Sequence, residues 1–337
     1  MERIELAKRN IVEIITEEEL RELLEQKKEF NFYFGIAPTG PFHLGYLIPL
    51  AKLLDLMEVG GKGTILIADY HAYLDDRKTP WEEMRLRAEY IETCVRLVLG
   101  NKAEKVRFVR GSEFQLSKEY VEDVIKLTGI VTVKRAIRAA SEVVRITESP
   151  SVSCLLYPIM QNVDVKYLKA DIALGGIDQR HIYALGREIL EKVGWKKPIC
   201  MFTPLITSLR GPGVKMSASK PETHISIHES EKSLKEKIRK AFCPPKEVNN
   251  NPIMDILKLL LFPMFGEVEV KGKKYQSFEE LSKDYKNNLI HPLDLKESIT
   301  PYLEKIIKPV RKYFEKNKEF FEKVRRSMEK SGYKIVC

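Results

Sequence analysis

Apolar residues in the first third of the chain alternate between short continuous runs and helical spacings. Short runs lie at 31–36, 64–68 and 105–109, and each lacks the apolar–polar alternation of a strand with one wet face. Such runs are typical of strands buried on both faces of a parallel sheet. Between them, apolar residues recur at helical spacing over 47–57 and about 81–99. The order strand, helix, strand, helix, strand predicts a doubly wound, Rossmann-like parallel sheet of the α/β class.

A helical stretch interrupts this alternation. Residues about 117–170 are mostly helical and the alternation resumes near 171–207, so we expect a helical insertion between two halves of the sheet. Beyond about 228 the strand signal fades, apart from one hairpin. The helices and the hairpin predicted there are 231–242, 252–261, 277–287, 294–306, 308–329 and the hairpin 267–275. The pattern predicts two domains, an α/β domain over 1–227 and a mainly helical domain over 228–337.

The positive charge of the chain is concentrated in this helical part. The net charge is +9, and residues 231–337 hold 24 Lys+Arg against 16 Asp+Glu, so the remainder of the chain is close to neutral. A basic domain joined to a near-neutral one favours a polyanion as partner. A solvated, lysine-rich helical surface explains the charge equally well, so charge alone leaves both interpretations open.

The composition argues against membrane, secreted and zinc proteins. No apolar run approaches the roughly 20 residues of a membrane helix, and the charged start predicts no secretory signal. The five cysteines are scattered without a Cys-x-x-Cys pair, which argues against a structural metal and against a disulfide framework. We expect free thiols, a cytoplasmic location and no interaction with a membrane.

The first chemical motif, Ala37-Pro-Thr-Gly-Pro-Phe-His-Leu-Gly-Tyr46, lies where the first predicted strand turns into a helix. Ligands bind at this edge of a doubly wound sheet, and the free N–H groups of a helix start favour phosphate. Gly40 and Gly45 let a flat ligand approach the backbone, and His43 is a donor for a phosphate oxygen. By itself a His-x-Gly string usually marks a surface turn. The motif resembles the HIGH signature of class I aminoacyl-tRNA synthetases, with Tyr46 in place of the second histidine.

The second motif, Gly211-Pro-Gly-Val-Lys-Met-Ser-Ala-Ser219, is a glycine-flanked loop that carries a lysine and two hydroxyls. Such a loop suits phosphates that move during a reaction, because the lysine supplies charge as pyrophosphate develops. It resembles the KMSKS signature of the same class, with Ala218 at the fourth position. The residues that we assign to ATP or catalysis in this loop are Lys215, Met216, Ser217 and Ser219.

The third segment places polar residues within an apolar stretch. Tyr157, Gln161 and Asp164 fall at i, i+4 and i+7, on one face of a helix. A polar face normally points to solvent, but the flanking residues are mostly apolar, so we expect this segment to be buried. Buried polar groups need partners, and the hydroxyl of a phenol ligand would supply one for Asp164.

Together with Tyr33 and the string Gly175-Gly-Ile-Asp-Gln-Arg180, this segment resembles the tyrosine site of archaeal and eukaryotic tyrosyl-tRNA synthetases. The resemblance implies that Tyr33 and Asp164 hydrogen-bond the substrate hydroxyl. It implies that Tyr157 and Gln161 hold the α-ammonium group and that Gln179 lies at the carboxylate end. ATP would contact Asp178, Gly175 and Gly176. The residues implied to line the pocket are Leu66, Ala68, His71, Phe114, Gln115 and Leu168. A site built to bond a phenol rejects phenylalanine, and this enzyme type is the standard illustration of that principle.

The resemblance also implies contacts with tRNA(Tyr). The helical domain would bind the anticodon through His291 and Asp294, with Phe265 stacked on a base. The string His291-Pro-Leu-Asp294 is equally typical of a turn with Asp294 as the helix N-cap. Acceptor-stem contacts would come from Lys134, Arg135, Arg138 and Arg180, although a solvated basic face explains the first three as well. A homodimer with its interface near the insertion is also implied, whereas residues 311–337 receive no assignment.

The implied reaction has two steps and no covalent enzyme intermediate. The carboxylate of L-tyrosine attacks the α-phosphate of ATP, which enters with Mg²⁺, and the terminal ribose of tRNA then attacks the tyrosyl-adenylate. Positioning and charge stabilisation fall to His43, Lys215, Ser217 and Ser219.

Three alternatives stay open at this point. The tryptophanyl enzyme shares the signatures, but Tyr33 with Gln161 and Asp164 disfavours it, because an indole has no hydroxyl to satisfy that set. A non-catalytic RNA-binding paralogue is kept open by Tyr46 and Ala218. A nucleotidylyltransferase acting on a small molecule is disfavoured by the insertion and the basic helical domain.

Overall fold

The computed structural model describes residues 2–144, 148–213 and 220–335. Its strands are β1 (Glu13–Ile15), β2 (Phe30–Ile36), β3 (Gly61–Ile67), β4 (Arg107–Arg110), β5 (Ile172–Gly176), β6 (Ile199–Thr203), β7 (Val268–Val270) and β8 (Lys273–Tyr275). Within the described residues, β1 to β6 form one sheet in the order β1-β6-β5-β2-β3-β4, and β7 pairs with β8. β2 to β6 are parallel and β1 is antiparallel to β6. The Rossmann-like α/β prediction is confirmed.

This strand order explains where a ligand site forms. The chain runs from β2 outward to β3 and β4 on one side, and from β5 outward to β6 on the other. The connections therefore diverge between β2 and β5, which is where crevices form at the carboxyl edge of such sheets. Tyr33 of β2 lies opposite Ala173 of β5 in the register, and both are buried.

The helices before and within the sheet are α1 (Arg3–Lys8), α2 (Glu17–Gln26), α3 (Leu47–Glu58), α4 (Asp69–Leu74), α5 (Met84–Leu99), α6 (Lys118–Thr128), α7 (Val133–Ala140), α8 (Val152–Tyr167) and α9 (Arg180–Lys192). α3 ends before Gly60, whose φ is +97° and whose added Cβ would lie 2.1 Å from the Lys28 carbonyl oxygen. Only glycine fits there, so the turn into β3 is fixed by one residue. α6, α7 and α8 form the helical insertion predicted between the two halves of the sheet.

The later helices are α10 (Glu231–Lys240), α11 (Pro252–Ile256), α12 (Phe262–Phe265), α13 (Phe278–Lys286), α14 (Pro292–Lys316) and α15 (Lys318–Glu329). The predicted break between helices at 306 and 308 is wrong, because α14 continues through Pro301 and Pro309 to Lys316. The buried residues of α14 repeat at helical spacing across Pro309 (Ile306, Ile307, Val310 and Phe314). Continuous burial of this face outweighs the hydrogen bonds that the two prolines remove.

The chain divides into two compact units. One comprises 1–39, 53–93 and 101–204, and the other comprises 40–52, 94–100 and 205–337. The predicted domain boundary at 227/228 stays a prediction. In the part of the chain that the structure describes, no helix is long and apolar enough to cross a membrane. The same residues contain no group of three or more His, Cys, Asp or Glu that could hold a metal ion.

Candidate active site

A buried carboxyl group lies at the centre of the first unit. Asp164 of α8 has no exposed surface, and its Oδ1 accepts 2.8 Å hydrogen bonds from Gln115 Nε2 and from the Tyr120 hydroxyl. Its other oxygen, Oδ2, has no hydrogen-bond partner among the described residues, and His71 Nε2 lies 3.7 Å from it. One oxygen is therefore held by two donors while the other is available to a ligand.

The protonation of this group follows from its burial. Burial raises the pKa of Asp164 to about 7, although the hydrogen bonds from Gln115 and Tyr120 lower it. Burial lowers the pKa of His71 to about 4, so this imidazole is neutral at physiological pH. Near pH 7 the Asp164 carboxyl is therefore close to its midpoint, and a hydroxyl that donates to Oδ2 favours the ionised form.

Two residues that lie next to this carboxyl also have buried polar atoms without partners in the part of the chain that the structure describes. Besides Asp164 Oδ2, they are His71 Nε2 and Gln115 Oε1, none of which has a hydrogen-bond partner within the described ranges. Leaving such atoms unbonded costs roughly 1–3 kcal/mol each. A phenol hydroxyl is both a donor and an acceptor, so it suits a place beside a carboxylate oxygen and an imidazole nitrogen.

Tyr33 lies in the same apolar cluster as Leu66, Ala68 and Leu168, which the resemblance led us to expect in the pocket lining. It is 1% exposed, and its hydroxyl is 2.8 Å from the Tyr183 hydroxyl of α9. Burial raises its pKa well above the ordinary tyrosine value, so the hydroxyl stays protonated. Phe114 packs against this cluster from its edge. The structure thus brings together residues that are far apart in sequence.

The residues expected at the amino-acid end also lie together. Gln161 Nε2 donates to Gln179 Oε1 over 3.1 Å. Tyr157 is buried, and its ring meets the His71 ring edge to face at 4.7 Å. A Cβ added at Gly175 would lie 3.1 Å from Cβ and Cγ of Gln179. The glycine therefore lets the Gln179 side chain pack close to the backbone of β5. Two further residues expected at ATP are Gly176, the last residue of β5, and Asp178, which lies in the turn that joins β5 to α9.

His43 of the first motif belongs to the second compact unit, and its surroundings fix its tautomer. The Gly45 N–H donates to His43 Nδ1 over 3.1 Å, so the proton of the neutral ring is on Nε2. Burial lowers the pKa of His43 to about 3, which keeps the ring neutral. The ring of Tyr46, the departure from the HIGH signature, lies 4.6 Å from the His43 ring and stacks on Phe42 at 4.9 Å. His43 is therefore a neutral donor whose ring is packed by Tyr46.

The backbone that follows the second motif is held by hydrogen bonds. Lys215, Met216, Ser217 and Ser219 lie outside the described residues. Immediately after them, the carbonyls of Pro221 and His224 accept from Lys237 of α10 at 2.8 and 3.1 Å. Lys237 also donates to the fully buried carboxylate of Glu229. A helix of the C-terminal part thus holds the backbone that follows this motif.

The residues expected to contact tRNA are partly occupied by protein contacts. His291 is the N-cap of α14 and accepts from the Leu293 N–H, so the alternative that made Asp294 the N-cap is wrong. Asp294 pairs with Lys271 at 2.9 Å. The Phe265 ring lies 5.1 Å from the Tyr302 ring. His291 is the cap because its ring nitrogen accepts a hydrogen bond from the backbone N–H two residues later.

Of the basic residues expected at the acceptor stem, two are in ion pairs. Arg135 pairs with Glu188 at 2.5 Å, and Arg180 pairs with Glu13 at 2.6 Å. Lys134 and Arg138 are exposed. An ion-paired arginine must release its partner to take a phosphate.

Sequence reasoning missed two residues of the site, Tyr120 and Tyr183. Tyr183 follows Gln179 by four positions, which places it on the same side of the first turn of α9. That spacing was a usable signal. Tyr120 reaches Asp164 from α6 across 44 positions of sequence, and only the fold reveals this contact.

The chain matches the family model of class I tRNA synthetases for tryptophan and tyrosine over residues 25–308. Among curated proteins, it is 44% identical over 322 residues to a tyrosine–tRNA ligase of Methanococcoides burtonii, covering 94% of this chain and 100% of the relative. It is 43% identical over 318 residues to a tyrosine–tRNA ligase of Archaeoglobus fulgidus, covering 92% of this chain and 97% of the relative.

Solved structures give the same result. Tyrosyl-tRNA synthetase of Archaeoglobus fulgidus, crystallised with L-tyrosine, superposes with a TM-score of 0.88 at 42% identity, covering 92% of this chain and 98% of that one. The enzyme of Aeropyrum pernix gives 0.85 at 37% identity, with 97% of each chain covered. Tryptophanyl-tRNA synthetase of Plasmodium falciparum gives 0.69 at 18% identity, covers 97% of this chain and 89% of that one, and so shares the fold.

Proposed function

This chain belongs to the class I tRNA synthetases for tryptophan and tyrosine, among the tyrosine–tRNA ligases, and from this membership we propose how its residues divide the work. The reaction is the activation of tyrosine followed by the charging of tRNA. The adenylate route requires no covalent nucleophile, so the protein acts by positioning and by charge stabilisation.

The observation that carries the tyrosine assignment is the arrangement around Asp164. Gln115 and Tyr120 hold Oδ1, so the substrate hydroxyl donates to Oδ2. His71 Nε2, 3.7 Å away, is placed to donate to the same hydroxyl. Tyr33, whose hydroxyl contacts the Tyr183 hydroxyl, is the second group that we assign to the substrate hydroxyl. Phenylalanine would leave these buried atoms unbonded, and tryptophan has no hydroxyl that can donate and accept together.

The ammonium and carboxylate ends of tyrosine fall to Tyr157, Gln161 and Gln179. The amide pair Gln161–Gln179 presents oxygens that accept from an ammonium and nitrogens that donate to a carboxylate. Both glutamines are partly exposed, whereas Asp164, which we assign to the phenol hydroxyl, is buried. This gradient fits a ligand whose phenol is deep and whose charged end faces ATP.

ATP, which enters with Mg²⁺ as part of the substrate, is assigned to the two motifs. Gly40, Gly45, Gly175 and Asp178 bind its adenosine, with His43 and Lys215 at the phosphates. His43 is suited to this because its neutral ring accepts from Gly45 at Nδ1 and so carries an N–H donor at Nε2. Lys215, Met216, Ser217 and Ser219 complete the phosphate loop and stabilise the departing pyrophosphate.

For tRNA we propose anticodon contacts by His291, Asp294 and Phe265, and acceptor-stem contacts by Lys134, Arg135 and Arg180. Asp294 suits a base edge because it is a carboxylate on the first turn of an exposed helix start. Its ion-pair partner Lys271 is exposed to solvent, which weakens the pair and lets a base take its place.

We also propose that the protein works in the cytoplasm, where tRNA is charged, and that it forms a homodimer through the insertion. Large apolar side chains are exposed on and beside α6 and α7: Leu116, Val121, Ile125 and Val133. Val121 and Ile125 are one turn apart on α6, so they form a stripe rather than scattered exposure. Burial of this stripe by a second copy of the chain explains it.

The test is ATP–pyrophosphate exchange dependent on tyrosine, with tryptophan and phenylalanine as controls, for the unmodified chain and for Lys215→Ala. We expect exchange with tyrosine alone, and a large loss of exchange in Lys215→Ala with tyrosine binding nearly unchanged. Exchange with tryptophan would overturn the tyrosine assignment. Full exchange by Lys215→Ala would overturn the role of Lys215, and tRNA binding without any exchange would favour a non-catalytic RNA-binding protein.

A further inference from the structure

One face of α14 carries a row of lysines. Lys305, Lys308, Lys312 and Lys316 are separated by three, four and four residues. At 3.6 residues per turn, these side chains fall within an arc of about 80°. All four are exposed, while the other side of the helix is buried through residues such as Ile307 and Val310. We call these four residues the α14 lysine face.

These four lysines carry their charge without a carboxylate partner among the residues that the structure describes. Across the described ranges, no carboxylate lies within ion-pair distance of any of the four. Glu231 of α10 interacts with Lys308 only at longer range. In contrast, three cations of α15 pair with carboxylates about one turn away: Lys323–Glu319, Arg325–Glu322 and Arg326–Glu322.

The contrast extends to α14 itself. Arg311 lies on the flank of the lysine face and is paired with Glu304 and Glu315. The helix thus has carboxylates available at helical spacing, but between Lys305 and Lys316 none lies within the arc of the lysine face. Like charges three and four residues apart repel one another by a few tenths of a kcal/mol per pair. A row of this kind, kept unpaired, favours a polyanion as its partner over a merely solvated surface.

The position of the lysine face indicates which polyanion. On a helix, Asp294 falls within the same arc, about 33 Å from Lys316 along the axis. Lys305 lies 5.2 Å from the Tyr302 ring and 6.0 Å from the Phe265 ring. Asp294 and Phe265 are the residues that we assign to an unstacked anticodon base. The lysine face therefore continues from that place along the helix, where the phosphates that flank the base would follow.

We propose that the α14 lysine face is a docking surface for the phosphate backbone of tRNA, beyond the anticodon contacts. Each ammonium takes a phosphate as a point charge and reads no base, so the surface contributes affinity and not sequence choice. Part of the surface lies in residues 311–337, the segment to which the sequence resemblance gave no role. The partner, though not the surface, rests on the proposed function.

The test compares two variants of the full chain that lose the same charge. The first variant removes three members of the lysine face by combining Lys308→Gln, Lys312→Gln and Lys316→Gln. The control variant removes three ion-paired cations of α15 by combining Lys323→Gln, Arg325→Gln and Arg326→Gln. Both sets are exposed or nearly so, which preserves the fold. Charging of tRNA is measured over a series of salt concentrations, and tyrosine-dependent pyrophosphate exchange is measured without tRNA.

For the lysine-face variant, we expect the KM for tRNA to rise by about tenfold at low salt, and the slope of log KM against log salt to fall by about two or three. Exchange without tRNA should be unchanged. The α15 variant should change the slope by less than one. An unchanged KM and slope in the lysine-face variant, or equal changes in both variants, would overturn this proposal. If the unmodified chain showed no tyrosine-dependent exchange, that result would instead contradict the proposed function.

Discussion

The hydroxyl of Tyr120 donates a 2.8 Å hydrogen bond to the same Asp164 oxygen that accepts from Gln115. The Met160 carbonyl oxygen is also 3.0 Å from this hydroxyl, but the hydroxyl has one proton, and the carboxylate is the stronger acceptor. Two donors on Oδ1 turn Oδ2 toward a ligand. They also favour the ionised form of a carboxyl group that burial disfavours. Tyr120, from the helical insertion, therefore positions and tunes the group that we assign to the substrate hydroxyl.

Tyr120→Phe removes one of these donors, so the pKa of Asp164 should rise above about 7. A larger fraction of Asp164 is then protonated at pH 7, and tyrosine loses its acceptor. We expect the KM for tyrosine to increase about three- to tenfold at pH 7, with the difference shrinking toward pH 9. Exchange kinetics between pH 6 and 9 measure this shift. His71 and His43, with pKa values lowered to about 4 and about 3, do not titrate in this range.

Tyr167→Phe is the matched control for that variant. Tyr167 also bonds an aspartate, Asp123, and its ring lies 5.0 Å from the Tyr120 ring, but it does not bond Asp164. Its KM for tyrosine and its pH profile should match the unmodified enzyme. Parallel profiles for both variants would show that Tyr120 does not tune Asp164.

Asp164→Asn should stabilise the free enzyme at neutral pH while damaging the site. The pKa of Asp164 is about 3.9 in an unfolded chain and about 7 in the fold, so stability is lost as pH rises through this window. The asparagine removes that loss. We expect the Tm to rise by several degrees at pH 8 and to change little at pH 4, measured by thermal unfolding.

Asp123→Asn should behave in the opposite way. Burial would raise the pKa of Asp123, but hydrogen bonds from Lys166 and Lys126 outweigh it and hold that pKa below the usual value. Its loss should therefore lower the Tm at pH 8 and matter less as the pH falls toward 3. A Tm change of the same sign in both variants would contradict the assigned directions.

Gly111→Ala should weaken tyrosine binding without a change at the substrate contacts themselves. An added Cβ would lie 2.3 Å from Gln115 Oε1 and 2.8 Å from Asp69 Oδ1. Gln115 must move, and its bond to Asp164 is lost or lengthened. We expect the KM for tyrosine to rise about tenfold in pyrophosphate exchange. Gly129→Ala is the control, because its nearest contact is 3.5 Å, and an equal effect there would refute the explanation.

Lys237→Met should destabilise the protein, because it leaves the fully buried Glu229 without its cation and releases the carbonyls of Pro221 and His224. We expect a loss of about 3–5 kcal/mol in the free energy of unfolding in urea. Combining it with Glu229→Gln removes the uncompensated charge and should restore much of that loss. A double variant no more stable than Lys237→Met would show that the ion pair is not the cause.

The sequence predicted those parts of the molecule that depend on local pattern. Strands buried on both faces and the alternation with helices gave the parallel sheet, and the burial of Asp164 followed from its apolar neighbours. The HIGH-like motif was placed correctly at the start of α3 because a strand–turn–helix is a local structure. β2 to β6 are parallel, as the uninterrupted apolar runs predicted, whereas the order of the strands was not predicted.

Features that depend on contacts between distant segments were not predictable. The three-residue strand β1 is too short to produce a pattern, and it exists because β6 pairs with it. The continuation of α14 through Pro309 depends on the surface against which its apolar face packs. Tyr120 was missed for the same reason, because its value lies in a bond to a residue 44 positions away.

The most direct test of the central claim, that Asp164 Oδ2 receives the substrate hydroxyl, is equilibrium binding of tyrosine and phenylalanine to the unmodified enzyme and to Asp164→Asn, by calorimetry at pH 8. The account predicts a strong preference for tyrosine in the unmodified enzyme and a preference that falls by about 10- to 100-fold in the variant, because the ionised acceptor is gone. An unchanged ratio of the two affinities would contradict it and would place the recognition of the hydroxyl elsewhere in the pocket.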